Sequence, residues 1–214
     1  MEYAAHIRKA VLAHPAGKPI YTRTITEWLM RECLIPAKEA RNLVAINVKR
    51  LVDEGVLARF CGGIVYRPER SVFGDVPLDP SNLIADLYIG NDAEIKGYVT
   101  GATFLHELGL CTWMPADVEV ATNANVRDRK AKLLNVRLVK PRTHVTSGNV
   151  AYLQILDAVR DLDRLPVDCD DPLAVIAEHV RENLDFAKLL GVASRYYPTS
   201  VVLKLAKLAE RMAA

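Results

Sequence analysis

Asp168-Cys169-Asp170 is the stretch of this 214-residue sequence whose residue types come closest to a catalytic centre. Aspartates at this spacing hold two metal ions in nucleotidyltransferases and many metal enzymes. Here the glycine-serine loop that such enzymes place before the pair is missing, and Pro172 follows at once as a helix start. The aspartates, with Asp171, therefore read as helix N-capping residues. His106-Glu107 lacks the second histidine of a zinc-protease helix. Asp117 and Glu119 suggest a restriction-type nuclease, but the lysine expected two residues after the second acid is Ala121. No serine or cysteine has an identifiable base. Cys33, Cys61, Cys111 and Cys169 lie far apart without a CxxC or CxxH neighbour, so they read as ordinary thiols in a reducing compartment. The expectation is a protein without catalytic residues, metal or cofactor.

A second chemistry, recognition of phosphates and base edges, is better represented. At 100° per residue, Ala37, Ala40, Leu43, Val44, Val48 and Leu51 share one face of a helix, and Lys38, Asn42, Ala45 and Lys49 share the opposite one. The outward stripe carries no acid until Asp53. Lys38, Arg41 and Asn42 are the candidates for reading bases, and Lys49, Arg59, Arg67 and Arg23 for contacting phosphates. An ordinary solvated helix would also carry outward charges, so the neighbouring elements have to decide. Asn47 points toward the apolar face and requires a hydrogen-bond partner, for which a neighbouring helix is the expected source.

Those elements read as follows. Pro36 opens the helix and Gly55 closes it. Val56 to Phe60 and Ile64 to Arg67 are β-rich, and Cys61-Gly62-Gly63 supplies the positive φ of a tight hairpin. Upstream, Glu2 to His14 forms a first helix, and Pro19 to Tyr21 a short strand. Thr24 or Thr22 caps a second helix carrying Ile25, Trp28 and Leu29 inward. Thr22, Arg23 and Arg31 stand where such folds touch phosphates. This order is that of a winged helix-turn-helix.

The charge distribution points the same way. The formal net charge is only +2, yet residues 1–70 hold 12 Lys+Arg against 7 Asp+Glu, and residues 71–214 hold 16 against 19. Half the residues are hydrophobic, which is enough to bury a sizeable core, so a disordered chain is not expected. No charged n-region with an apolar core stands at the start of the sequence, so a secretory leader is not expected, and no apolar run reaches the ~18 residues of a membrane span. A cytoplasmic protein that does not enter the membrane is expected.

Residues 71–80 lie in a proline-rich stretch, PERSVFGDVPLDP, with the composition of a connector. Beyond it, 82–89 reads as a helix capped by Ser81, 97–100 as a strand, and 102–108 as a helix. Thr100-Gly101 before that helix fits either an N-cap or an anion site. Residues 117–122 and 132–140 alternate like strands. Around the second lies the most basic stretch of the chain: Arg127, Arg129, Lys130, Lys132, Arg137, Lys140 and Arg142, against the single acid Asp128. Such a run is either a solvated edge or a surface for nucleic acid or an acidic partner. Residues 150–162, 172–183, 186–190 and 198–212 are helical. The fold class expected is α+β: a winged helix-turn-helix domain (1–70), a connector (71–80), and a mixed α/β domain (81–214) with a small sheet and a helical C-terminal end.

The winged domain, the LVDEGVLARFCGGIVYRP hairpin, the GYVTGATFLHELGLCTWMPADVEVATN block, the basic strand and SRYYPTSVVLKL together resemble the AbiEi-type antitoxins of bacterial abortive-infection toxin-antitoxin systems. The resemblance covers nearly the whole chain, with Thr100 to Thr122 its most specific part. It implies a transcriptional autorepressor that binds inverted repeats in double-stranded DNA at its own promoter. It also implies a phage-defence role for the C-terminal domain, which counteracts a nucleotidyltransferase toxin encoded in the same operon without needing a stable complex with it. In the family hairpin a basic residue precedes the glycine where Cys61 and Gly62 stand here, which implies weaker wing contacts. Two alternatives stay open: a winged-helix repressor whose C-terminal half senses a ligand or oligomerises, and a nuclease or nucleotidyltransferase with a DNA-targeting domain.

Overall fold

The structure, a computed structural model, describes residues 2–91 and 93–213. It is a mixed α/β chain of helices and small sheets, divided into two compact units, Met1–Leu83 and Ile84–Ala214.

In the first unit, α1 (Glu2–Ala13) leads through β1 (Pro19–Tyr21) to α2 (Thr22–Glu32) and α3 (Ala37–Asp53), followed by β2 (Ala58–Cys61) and β3 (Ile64–Tyr66). The sheet order is β1-β3-β2, antiparallel throughout, with Ile20 opposite Val65 and Arg59 opposite the same valine on the other side. Gly63 turns the hairpin at φ 85°, a conformation that costs a residue with a Cβ ~1–2 kcal/mol. The core is the sum of three apolar helix faces and one sheet face: Ile7 and Val11 from α1, Leu29 from α2, Ala40, Val44, Val48 and Leu51 from α3, and Ile20 and Val65 from the sheet. Trp28 packs at the margin of this core, its ring 6.5 Å from that of His6.

Several local expectations change here. Neither Thr22 nor Thr24 caps α2; Tyr21 holds the cap position without a side-chain bond, and the Thr22 hydroxyl donates to the Gly63 carbonyl instead. Asn47 finds its partner within its own helix, donating to the Leu43 carbonyl at 2.8 Å, because one turn back is nearer than any neighbouring helix. The stretch read as a connector contains a hairpin of β4 (Glu69–Ser71) and β5 (Gly74–Val76). Its tip, Val72 and Phe73, is 94% and 98% exposed.

At the boundary, α4 (Pro80–Ile84) widens into a π-helical turn, Ala85–Ile89. Asp79, not Ser81, supplies the N-terminal hydrogen bond, accepting from the Ser81 N–H. In the second unit follow β6 (Gly90–Asn91), β7 (Glu94–Ile95), β8 (Gly97–Thr100), α5 (Gly101–Glu107), β9 (Val118–Thr122), α6 (Lys130–Leu133), β10 (Val136–Val139), α7 (Val150–Asp161), α8 (Pro172–Asn183), α9 (Phe186–Tyr196) and α10 (Thr199–Ala213). The sheet runs β10-β9-β8, with β9 antiparallel to β8 and parallel to β10. The single strand expected at 132–140 is thus split. Lys130–Leu133 coils into a helical turn because a parallel neighbour needs a crossover, whereas an alternating pattern suggests only an extended chain. Leu153, Leu156 and Val159 of α7 form the centre of the core, with Ile176, Leu189, Leu205 and Leu208 from the last three helices packed around it.

Candidate nucleic-acid interface and the basic clefts

The exposed face of α3 presents Lys38, Arg41, Asn42 and Lys49. Its opposite face carries the buried Ala40, Val44, Val48 and Leu51, so core packing fixes which way the polar stripe looks. Among the described residues Lys38, Asn42 and Lys49 have no ion pair or side-chain hydrogen bond, while Arg41 folds back onto the Ala37 carbonyl at 3.1 Å. Ile46, 67% exposed, adds an apolar patch to the same side. Arg41 and Arg59 line one cleft of roughly 250 Å³ between α3, the start of α2 and the hairpin, together with Thr22, Thr26, Ala45 and Gly63. The Thr22 N–H donates to the Gly63 carbonyl at 2.9 Å, which pins the hairpin tip beside the N-terminus of α2. Ala45 belongs to the outward stripe read from the sequence, whereas Thr26 was not singled out there, although its i, i+4 spacing from Thr22 was the available signal.

The remaining candidates of this unit divide. Arg59 is exposed on β2, and its side chain has no partner among the described residues. Arg23 is exposed but pairs with Glu27 at 2.6 Å. Arg67 differs from the expectation of a phosphate contact. It is half-buried, it donates to the His14 carbonyl at 2.9 Å, and its Nε is enclosed without a partner. Its guanidinium ties the end of β3 to the end of α1. Leu34, in the turn between α2 and α3, sits at φ 55° and is 86% exposed.

In the second unit the residues of the basic run are spread over several elements and differ in exposure and pairing. Arg127 and Arg129 are exposed on the loop before α6, Lys132 is exposed on α6, and Lys130 is half-buried there. Arg137 is neutralised by Glu119 from the adjacent strand. Lys140 and Arg142 follow β10 and border two clefts, of roughly 550 and 470 Å³. The larger one also receives Arg160 from the last turn of α7 and Arg164 from the turn beyond it, neither of which the sequence analysis singled out. The Asp157-x-x-Arg160-Asp161-x-x-Arg164 spacing, which places these charges on adjacent turns, was a usable signal.

Those α7 charges are largely matched. Arg160 bonds Asp157 at 2.7 Å and grips Asp161 through two nitrogens at 2.9 and 2.8 Å. Asp157 also accepts from Tyr98 at 2.8 Å and from Tyr197 at 2.9 Å, and Thr100 reaches it at 3.4 Å. Burial pushes the Asp157 carboxyl above its ordinary range; the Arg160 charge and then the two phenols oppose this. The Tyr98 and Tyr197 hydroxyls are held well above their ordinary value by burial first and by Asp157 second, so both stay protonated donors.

Thr100-Gly101 does not form an anion site. The Thr100 hydroxyl turns to Asp157, and Gly101, at φ 63°, has the Glu119 carboxylate where a Cβ would lie 2.8 Å from it. A carboxylate at that position repels an anion. In the DxD, Asp168 accepts from both the N–H and the hydroxyl of Thr112, and the α8 cap is Asp171, which accepts from the Ala174 N–H at 3.1 Å. Asp170 is exposed and takes no capping bond. Among the described residues no three of His, Cys, Asp and Glu converge as a metal cluster. Among them also, no helix is long and apolar enough to cross a membrane.

No protein-family model matches this chain, and no curated protein matches it in sequence. Among solved structures it is similar to the crystal structure of the RV2827C protein from Mycobacterium tuberculosis, with a TM-score of 0.53 at 13% identity, covering 99% of this chain and 78% of that one. At this identity the likeness concerns the fold.

Proposed function

We propose that the first unit is a winged helix-turn-helix that binds double-stranded DNA, and that the protein is an autorepressor and antitoxin rather than an enzyme. The observation that carries the DNA reading is the stripe of Lys38, Asn42 and Lys49 on α3. These side chains have no intramolecular partner among the described residues and share the unit with the Arg41–Arg59 cleft. A helix whose outward polar groups are left free beside a basic hairpin suits the major groove, with the hairpin on the flanking backbone. Lys38, Arg41 and Asn42 read base edges, Ile46 offers an apolar contact for a thymine methyl group, and Lys49, Arg59 and Arg23 meet phosphates. Arg67 has a structural role in this scheme.

The antitoxin role rests on the sequence resemblance to AbiEi-type proteins, whose partner is a nucleotidyltransferase toxin from the same operon, acting in the cytoplasm. Two assays test the two halves. In a mobility-shift assay on the protein's own promoter, wild type shifts the fragment and Asn42→Ala does so with weaker affinity; no shift on any inverted repeat there would overturn the DNA reading. Co-expression with the neighbouring toxin restores growth; continued toxicity with soluble protein present would overturn the antitoxin reading. The alternative, a repressor with a ligand-sensing second unit, is favoured by one observation, the pair of open clefts beside Lys140 and Arg142.

A further inference from the structure

We infer that the crevice beyond the carboxyl ends of β9 and β10 binds a nucleoside polyphosphate, with Lys140 and Arg142 holding its phosphates. β9 and β10 are parallel, so the chain leaves both strands at the same edge of the sheet, and in open α/β sheets ligands bind in the crevice outside the carboxyl ends of the strands. Here the exits are 122–126 after β9 and 140–144 after β10, and together they line the crevice of roughly 470 Å³. That size lies within the ~300–1,000 Å³ of small-molecule pockets.

The walls are held in place before any ligand arrives. The Asn123 side chain accepts from the Val145 N–H and donates to the Val145 carbonyl, both at 2.9 Å, locking one exit to the other. Asn149 donates to the His144 carbonyl at 2.9 Å and accepts from the Thr146 N–H at 2.8 Å, which closes the second loop on itself. A rim fixed in this way loses little entropy on binding.

Charge selects the ligand. Arg137 and Arg160 nearby are matched by carboxylates, but Lys140 and Arg142 have none among the described residues. Arg142 lies with its guanidinium carbon 6.0 Å from the centre of the Tyr197 ring, a contact that orients a planar fork without neutralising it. A guanidinium fork beside an ammonium point charge suits adjacent phosphates. The crevice is also larger than phosphates need. Ala124, Val126 and Pro141 give it an apolar side, and the Asn125 amide N–H₂ and Thr143 hydroxyl make no hydrogen bond within the described residues. An inorganic anion leaves these groups unused, whereas a base and ribose engage them.

The test is calorimetric titration of the full-length protein with ATP, GTP, CTP, UTP and inorganic triphosphate, in the absence of DNA. At least one nucleotide is expected to bind about tenfold or more tightly than triphosphate. Replacing both cations, Lys140→Ala with Arg142→Ala, weakens that nucleotide by about tenfold or more, as expected for lost charge-assisted hydrogen bonds. Asn125→Ala weakens it without changing triphosphate binding, and Lys207→Ala, on the exposed face of α10, leaves it unchanged. Circular dichroism establishes that each variant is folded. The inference is overturned if no nucleotide binds at millimolar concentration, if the double variant binds like wild type, or if triphosphate binds as tightly as every nucleotide. It is equally overturned if a single-stranded oligonucleotide binds through Lys140 and Arg142 while free nucleotides do not.

Discussion

The phenol of Tyr98 donates a 2.8 Å hydrogen bond to Asp157, a carboxylate that is only 2% exposed. The bond joins β8 to α7, and Tyr197 brings α9 to the same carboxylate. Tyr98→Phe keeps the ring and removes the donor. It is expected to destabilise the protein by about 1.5–3 kcal/mol, the range for a hydrogen bond to a charged group, with urea unfolding as the measurement. A variant as stable as wild type would show that the cluster contributes nothing to holding the second unit together.

On DNA, Asn42→Ala is expected to cost roughly 1–3 kcal/mol on the operator and to relax specificity, whereas Lys49→Ala weakens all DNA alike and flattens the salt dependence by about one unit. Arg59→Ala should behave like Lys49→Ala. Arg67→Ala should lower the melting temperature and leave the salt slope alone, because its guanidinium is engaged by the His14 carbonyl. Binding measured from low to high salt separates the two arginines; equal salt slopes for Arg59→Ala and wild type would remove Arg59 from the interface.

Leu34 holds a left-handed backbone while its side chain is 86% exposed, so it bears the strain of its Cβ with little packing in return. Leu34→Gly relieves the ~1–2 kcal/mol strain and gives back part of it as unfolded-state entropy. The expected net gain is about 0.5–1 kcal/mol in thermal unfolding. A lower melting temperature would mean that the leucine makes a contact worth more than its strain.

Asp168 supplies a pH signature. The Thr112 hydroxyl first and the Thr112 N–H second hold its carboxyl below the ordinary value of 3.8. A depressed carboxylate contributes stability that is present above pH 3.8 and lost as pH falls through the folded-state value. The melting temperatures of wild type and Asp168→Asn should therefore differ most near neutral pH and converge in acid below that value. A difference that stays constant down to pH ~2 would sink the assignment.

Much of the helical content was readable because helices are written locally. The apolar faces of α1, α2 and α3 recur within a few residues, and Pro172–Asn183 was bounded by its own proline and preceding aspartates. The hairpin of β2 and β3 was announced by its glycines. Ambiguous local patterns concealed the rest: alternation across 132–140 looks like one strand, and the prolines of 68–80 hide β4 and β5.

What the sequence determined by itself was therefore the order of α1, α2, α3 and the β2–β3 hairpin, the basic surplus of the first 70 residues, and the outward stripe of α3, since each depends on neighbours close along the chain. Tertiary structure alone decided that Arg67 turns inward to His14, that Glu119 neutralises Arg137, and that Asp157 gathers Tyr98, Thr100, Arg160 and Tyr197. It also decided that β9 and β10 run parallel and open a crevice at Lys140 and Arg142. Such pairings join residues tens of positions apart, and the free energy that selects them comes from packing and desolvation in the assembled core, which no local spacing records.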